Sequence, residues 1–162
     1  MNIQKARDWA DLVLKVTSIA AIIAAGAWAY YQFWVTDTTD SNIQLGISTE
    51  VLPYSGNNRL LLIHVRPKNI GKVLVSPEHL TVSIKDLPTD LKPGAVDLRK
   101  LKERYSTDIL DNYKDGYDLE PGVLYDEVVA LVVPKGIILS VYGEVDFESD
   151  YEVDQTAVVT VK

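Results

Sequence analysis

Apolar side chains follow two patterns along this chain. From Val16 to Val35 they are nearly continuous. From Ile43 onward they alternate with polar residues or come in short runs between turn residues. The first stretch reads VTSIAAIIAAGAWAYYQFWV; it carries no charge, and Gln32 is its only strongly polar side chain. A helix of this length, at ~1.5 Å per residue, measures ~30 Å, the thickness of a bilayer's hydrocarbon core. Such a helix satisfies its own backbone hydrogen bonds, so in lipid it needs little beyond apolar side chains. Ile3, Trp9, Leu12, Val13 and Val16 are spaced as on a helix, so residues 1–15 are expected to be a juxtamembrane segment running into a transmembrane helix over residues 16–35.

The flanks fit that reading. Trp28, Tyr30, Tyr31 and Trp34 cluster at one end, where an aromatic ring lies in the apolar zone and its N–H or O–H reaches water. Trp9 marks the opposite interface, and Lys15 can extend its ammonium to it. Two alternatives compete with this reading. A buried core helix this uniformly apolar needs a large domain around it, and the rest of the chain is strand-like. A secretory signal peptide has a small-x-small site at Ala27-Trp28-Ala29, but the apolar run continues through YYQFWV, and Asp8 and Asp11 lie in the amino-terminal region. Lys5, Arg7 and Lys15 precede the helix, TDTTDSN follows it, and the next basic residue is Arg59. The positive-inside tendency then puts the amino terminus in the cytoplasm and the remaining domain outside. Ala21 and Ala25 are one helical turn apart, so two copies of the helix could pack closely there as a homo-oligomer, although alanine is also an ordinary lipid-facing residue.

After a polar linker over residues 36–42, strand signals succeed one another. Ile43, Leu45 and Ile47 alternate with Gln44, Gly46 and Ser48. PYSGNN is a turn, and LLLIHVR, ended by Pro67, is a core strand or a strand buried on both faces. Further strands are expected at Val73–Val75, Leu80–Lys85, Thr107–Tyr113, Leu124–Val133, Ile137–Phe147 and Val153–Val161, with turns at Asn69–Lys72, Asp115-Gly116, Pro121-Gly122 and Pro134–Gly136. Residues 87–116 look irregular, with an amphipathic helical piece at Asp97–Tyr105 that Asp97 would cap. The expected fold is therefore mainly β: an N-terminal transmembrane α-helix, then an immunoglobulin-like antiparallel β-sandwich over residues 43–162 with a short helical insertion.

Charge and composition narrow the functions. Residues 36–162 hold 13 basic and 21 acidic residues, which disfavours binding nucleic acid or an anionic lipid surface. The chain has no cysteine, which excludes disulfides, thiolate metal sites and thiol catalysis. Only two histidines occur, His64 and His79, and neither belongs to a nucleophile elbow; no phosphate loop is present. No enzyme activity and no cofactor are expected. The stretch EVDFESDYEVD has a carboxylate at every second position from Glu144 to Asp154. In a loop, Asp146, Glu148 and Asp150 could hold calcium; in a hairpin the same spacing lines a solvent face opposite Val145, Phe147, Tyr151 and Val153. RKLKER, from Arg99 to Arg104, is either a solvated face or a dock for an acidic partner.

Several short motifs occur in a recognisable order. They are the aromatic helix end at Trp28, Ala29, Tyr30, Tyr31 and Phe33, then Lys68-Asn69-Ile70-Gly71-Lys72, Leu119-Glu120-Pro121-Gly122, Tyr125-Asp126-Glu127 and Val132-Val133-Pro134. In this order the chain resembles uncharacterised small bacterial single-pass membrane proteins with an immunoglobulin-like domain. The resemblance covers most of the chain outside residues 87–116. It implies a membrane anchor and a sandwich, and supplies no active site. Such proteins often carry basic residues after the helix, where this chain has acidic ones. The function expected is a membrane-anchored module presenting a surface to an unidentified protein partner, with Tyr113, Tyr117 and Tyr125 as candidate contacts. The competing role for these tyrosines is to fill the edge of the sandwich. An alternative function is an oligomerising membrane effector whose β-domain senses a small ligand or a partner.

Overall fold

A computed structural model of the chain describes residues 3–34, 42–148 and 151–162. The chain divides into two units, Met1–Asp40 and Ser41–Lys162. The described residues of the first unit form one helix, α1, spanning Ile3–Trp34. The expected juxtamembrane and transmembrane segments are thus continuous. Within α1, Arg7–Gln32 is long and apolar enough to cross a membrane, a property it shares with signal sequences, and none of it is buried by protein. Ile22 and Trp9 are 71% and 68% exposed. The few polar groups are satisfied along the helix. Thr17 Oγ1 and Ser18 Oγ donate to the carbonyls of Val13 and Leu14, each at 2.8 Å. Lys15 Nζ pairs with Asp11 at 2.8 Å, one turn back, in the favourable acid-before-base order. Ala21 and Ala25 lie on exposed helix surface. Of the expected linker, only Asn42 falls within the described residues.

Among the described residues the second unit has seven strands: β1 (Ile43–Pro53), β2 (Asn58–Asn69), β3 (His79–Leu87), β4 (Glu103–Asp108), β5 (Glu127–Pro134), β6 (Ile138–Asp146) and β7 (Glu152–Thr160). They form two antiparallel sheets, ordered β1-β2-β5 and β4-β3-β6-β7. Period-two alternation decides which side chains meet. Leu61, Ile63 and Val65 of β2 are fully buried beside Ile43 and Leu45 of β1 and Val133 of β5. The second sheet adds Leu80, Val82 and Ile84 of β3, Leu139, Val141 and Val145 of β6, and Val159 of β7 to the same core. The run LLLIHVR is therefore a one-sided core strand, with Leu60, Leu62 and His64 half-buried on its other face. The sheets approach closely at Gly143, where a Cβ would lie 2.7 Å from Ile47 Cδ1.

Three expectations are corrected. Asp97–Tyr105 is not a helix: only Leu98–Lys100 forms a single 3₁₀ turn, and Glu103–Asp108 is strand β4. An isolated nine-residue helix is marginal in water. The open edge of β3 instead offers this segment a hydrogen-bonded ladder, from Thr81 opposite Asp108 to Lys85 opposite Glu103. The edge strand expected at Thr107–Tyr113 ends at Asp108, because the Asp108 carboxylate accepts the Leu110 N–H at 2.9 Å and starts a 3₁₀ turn over Ile109–Asn112. Val73–Val75 makes no strand beyond a single bridge between Val75 and Leu119.

Candidate functional site

Asn69 organises one candidate site. It ends β2 with no exposed surface, and its side chain makes three hydrogen bonds. Nδ2 donates to the Val73 and Leu119 carbonyls at 2.7 and 2.8 Å, and Oδ1 accepts the Gly71 N–H at 2.9 Å. Its own carbonyl accepts the Gly122 N–H at 2.8 Å. Residues 117–125 are thereby pinned to the end of β2. Gly116 and Gly122, at φ +95° and +79°, make the turns on either side in a region other residues rarely enter.

This pinning brings the three sequence-predicted tyrosines together. Tyr113 and Tyr117 meet edge-on with centroids 4.9 Å apart, and Tyr117 meets Tyr125 at 5.6 Å. Both phenols of the first pair converge on Glu127 at the start of β5: Tyr113 donates to Oε2 at 2.7 Å and Tyr117 to Oε1 at 3.0 Å. Tyr125 Oη accepts the Glu120 N–H at 3.3 Å. Glu127 lifts the Tyr113 pKa, with burial adding to it. Burial, then Glu127, drives the Tyr117 pKa far above the usual phenol range. Both phenols therefore stay protonated as donors. Tyr117 is only 9% exposed and belongs to the core, whereas Tyr113 is 40% exposed and reachable. Tyr113 also borders a groove of about 300 Å³ between the two sheet edges, flanked by Tyr105 and Thr107 of β4 and by Val128 and Ala130 of β5.

A second candidate lies on the outer face of the other sheet. Even-numbered residues of β6 point outward, so Ser140, Tyr142, Glu144 and Asp146 form a row. Register places Lys85 opposite Ser140, Thr156 opposite Tyr142 and Glu152 opposite Asp146. Leu98, from the 3₁₀ turn, completes a cleft of about 310 Å³ whose other lining residues are Lys85, Ser140, Tyr142, Glu144, Glu152 and Thr156. Glu144, Asp146 and Glu152 bring carboxylate oxygens within 4.8 Å of one another. Burial, the Asp146 charge and the Glu152 carboxyl hold the Glu144 pKa above the usual carboxylate range, with Tyr142 pulling it back. Of the residues expected to hold calcium in a loop, Asp146 belongs to this group, Glu148 is exposed beyond the end of β6, and Asp150 lies outside the described residues. Sequence reasoning placed Glu144 and Glu152 on a hairpin's solvent face without seeing that the register brings them together.

The histidines are separately engaged. His64 Nδ1 donates to Asp126 at 3.0 Å, and Arg66 pairs with the same carboxylate at 3.2 Å while donating to Ser48 Oγ at 2.8 Å. Desolvation pushes the Asp126 pKa up, but these hydrogen bonds outweigh it and leave the carboxyl acidic. His79 Nδ1 donates to Asp108 at 2.6 Å. Neither imidazole hydrogen-bonds to a serine or threonine hydroxyl among the described residues. In the basic segment, Arg104 pairs with Asp86 at 2.6 Å and Lys100 with Asp97 at 3.3 Å; the Arg99 side chain lies outside the described residues. Of the aromatic helix end, Trp28, Tyr30 and Tyr31 are all exposed, with the Trp28 and Tyr31 rings 6.3 Å apart. The Trp34 side chain is outside the described residues.

No family model matches the sequence, and no curated protein shows significant similarity to it. Among solved structures, the chain is similar to a structural-genomics target designated SoR45, at 15% identity and a TM-score of 0.48, over 73% of this chain and 86% of that one. It is also similar to the "Putative ApaA Protein from Bordetella pertussis", at 13% identity and a TM-score of 0.49, over 75% of this chain and 94% of that one.

Proposed function

We propose that this chain is a membrane-anchored, immunoglobulin-like β module that presents a protein-binding surface beside the bilayer. The observation that carries the reading is α1: its 26-residue apolar span Arg7–Gln32 has no share buried by protein. A bare apolar surface of this length is unfavourable in water at ~25 cal/mol per Å², and lipid removes that cost. The strand order favours an immunoglobulin-like topology. If the seven strands are lettered as in that fold, β1, β2 and β5 take the places of A, B and E, and β3, β6 and β7 those of C, F and G. The proposed orientation has the amino terminus in the cytoplasm.

The partner surface we favour is the groove between the β4 and β5 edges, with Tyr113 at its rim. Val128 and Val132, 51% and 49% exposed, lie on β5, whose outer backbone edge pairs with no strand among the described residues. An extended segment of another protein can add to such an edge as a further strand. No catalytic role is proposed, since the tyrosines are held as donors and both histidines are tied to carboxylates. Alkaline carbonate extraction of membranes tests the anchor: the intact chain should stay in the pellet, and its release with α1 uncleaved refutes the reading. A photo-crosslinking residue at Val128 tests the surface. It should capture protein, whereas the same probe at Tyr54, on the β1–β2 turn, should not.

A further inference from the structure

The groove between the β4 and β5 edges runs along exposed backbone. Glu127, Val128, Val129 and Ala130 all line it. Successive strand residues point to opposite faces, so a groove that touches all of them follows the edge of the strand. That edge of β5 pairs with no strand among the described residues. From Val128 to Val133 it carries no charge and no proline to deter a further strand. Glu127 gives one end of the groove its chemistry. Its half-buried carboxylate accepts one hydrogen bond on each oxygen, from Tyr117 on Oε1 at 3.0 Å and from Tyr113 on Oε2 at 2.7 Å. A carboxylate has about four acceptor positions, so each oxygen keeps one open. Both donors are neutral phenols, and among the described residues no lysine, arginine or histidine pairs with Glu127. A half-buried negative charge without a cation is costly. The flanking chain deepens the negative field: residues 108–127 hold seven acidic residues and one basic residue, Lys114.

Like charge disfavours a second copy of this chain at the same edge, and favours a cationic occupant. A residue paired opposite Glu127 on an added strand has its Cβ ~5 Å from that of Glu127 and on the same face. A guanidinium at that position can meet both open acceptor positions with two parallel N–H groups, whereas an ammonium is a single point of charge. Tyr105 and Tyr113, 37% and 40% exposed, line the same groove and offer aromatic surface to the guanidinium plane. We infer that the groove takes an extended segment of a partner protein as an additional strand beside β5, with an arginine of that segment opposite Glu127. This names the chemistry of the partner for the surface proposed above, and it rests on that proposal.

The test is isothermal titration of the full chain in detergent with two capped peptides of alternating threonine and valine. One ends in arginine and the other begins with it, so that arginine can stand opposite Glu127 in antiparallel and in parallel pairing. At least one should bind with a Kd below about 1 mM. Replacing its arginine by citrulline, which keeps the shape and removes the charge, should weaken binding by about tenfold or more. That comparison leaves the protein untouched, so it stands even if a Glu127 variant folds poorly. In a folded Glu127→Gln chain the arginine and citrulline peptides should bind within about threefold of each other. Three results overturn the inference: no binding of either arginine peptide at about 1 mM, equal binding of the citrulline peptide, or an arginine preference that survives Glu127→Gln. The photo-crosslinking probe at Val128 separates the two proposals. Capture of protein there, with no preference for arginine, sinks only the arginine pairing; capture of nothing sinks the partner surface itself; and capture of a second copy of this chain overturns the occupant inferred here.

Discussion

Replacing Asn69 by alanine removes three hydrogen bonds at once: those from Nδ2 to the Val73 and Leu119 carbonyls and that from the Gly71 N–H to Oδ1. At ~1 kcal/mol net for each, the bonds total ~3 kcal/mol. Neither abandoned carbonyl adds a full desolvation penalty to that figure. The Leu119 carbonyl keeps a second donor, the Val75 N–H at 3.3 Å, so it is not orphaned. The Val73 carbonyl loses its side-chain donor, but Val73 is only half-buried and water can reach it. The expected loss is therefore ~2–4 kcal/mol, a large part of the ~5–15 kcal/mol that holds a typical domain together. Thermal unfolding of the full chain in detergent, followed by near-ultraviolet circular dichroism, should show the midpoint falling by roughly 10 °C. Asn69→Leu separates the causes. Leucine restores the volume but not the donors, so it should be about as unstable as alanine. If leucine recovers most of the loss, or alanine costs less than about 0.5 kcal/mol, the hydrogen bonds do not pin residues 117–125.

Three further outcomes follow from single contacts. Tyr117→Phe deletes the hydroxyl donating to Glu127 and should cost ~1–2 kcal/mol in urea unfolding, with Tyr113 still holding the carboxylate; a neutral result removes Glu127 as the organiser of the cluster. Gly143→Ala puts a Cβ 2.7 Å from Ile47 Cδ1 and should cost ~1–3 kcal/mol; adding Ile47→Val, which deletes that methyl, should recover part of it, and strict additivity of the two changes refutes the contact. The third concerns His79 and Asp108. The hydrogen bond to Asp108 raises the His79 pKa against the opposing pull of desolvation. Burial pushes the Asp108 pKa up, but the bonds from His79 and from the Leu110 and Leu80 N–H groups prevail and lower it. The His79 contribution is complete below its unfolded pKa of ~6.5 and is lost as pH rises through the raised folded value. The Asp108 contribution is complete above ~3.9 and is lost as pH falls through the lowered one. The stability gap between the parent and His79→Gln should therefore be widest between about pH 4 and 6.5 and narrow on both sides; a gap that does not change with pH refutes the pairing.

Much of the fold was legible because its signals are local. A charge-free run and a period-two alternation are properties of neighbouring residues, and both survived folding: α1 contains the predicted apolar segment through Trp34, with Val35 outside the described residues, and β1, β2, β3, β5, β6 and β7 all overlap predicted strands. What misled was a segment whose local preference was overridden by a distant edge. Leu98, Leu101 and Tyr105 do fall at helical spacing. However, the backbone of Glu103–Asp108 finds its hydrogen-bond partners on β3, and no helix-forming pattern within the segment could report that edge. The polarity of β2 illustrates the same point. Three successive leucines fit burial on both faces equally well, and among the described residues Leu61 is buried while Leu60 and Leu62 are only half-buried.

The candidate sites were less legible, for a reason specific to sheets. Tyr113, Tyr117 and Tyr125 were each visible, but whether a tyrosine faces a partner or the core depends on what pins its loop, and here that is Asn69, forty-eight residues before Tyr117. The pinning buries Tyr117 and leaves Tyr113 at the surface, so one sequence motif divides into a structural and a reachable half. The acidic hairpin divides in the same way. Alternation alone assigns all its even-numbered carboxylates to solvent, which holds for Glu148. Yet antiparallel register sets Asp146 against Glu152, and the 3₁₀ turn at Leu98 closes the ground beside Glu144. Register converts a row of solvated charges into a charge cluster at one end of a cleft. It also sets Lys85 opposite Ser140 at the far end. The charge polarity of that cleft is thus a consequence of strand pairing, and a one-residue slip of β7 would turn Glu152 and Thr156 to the other face and abolish it.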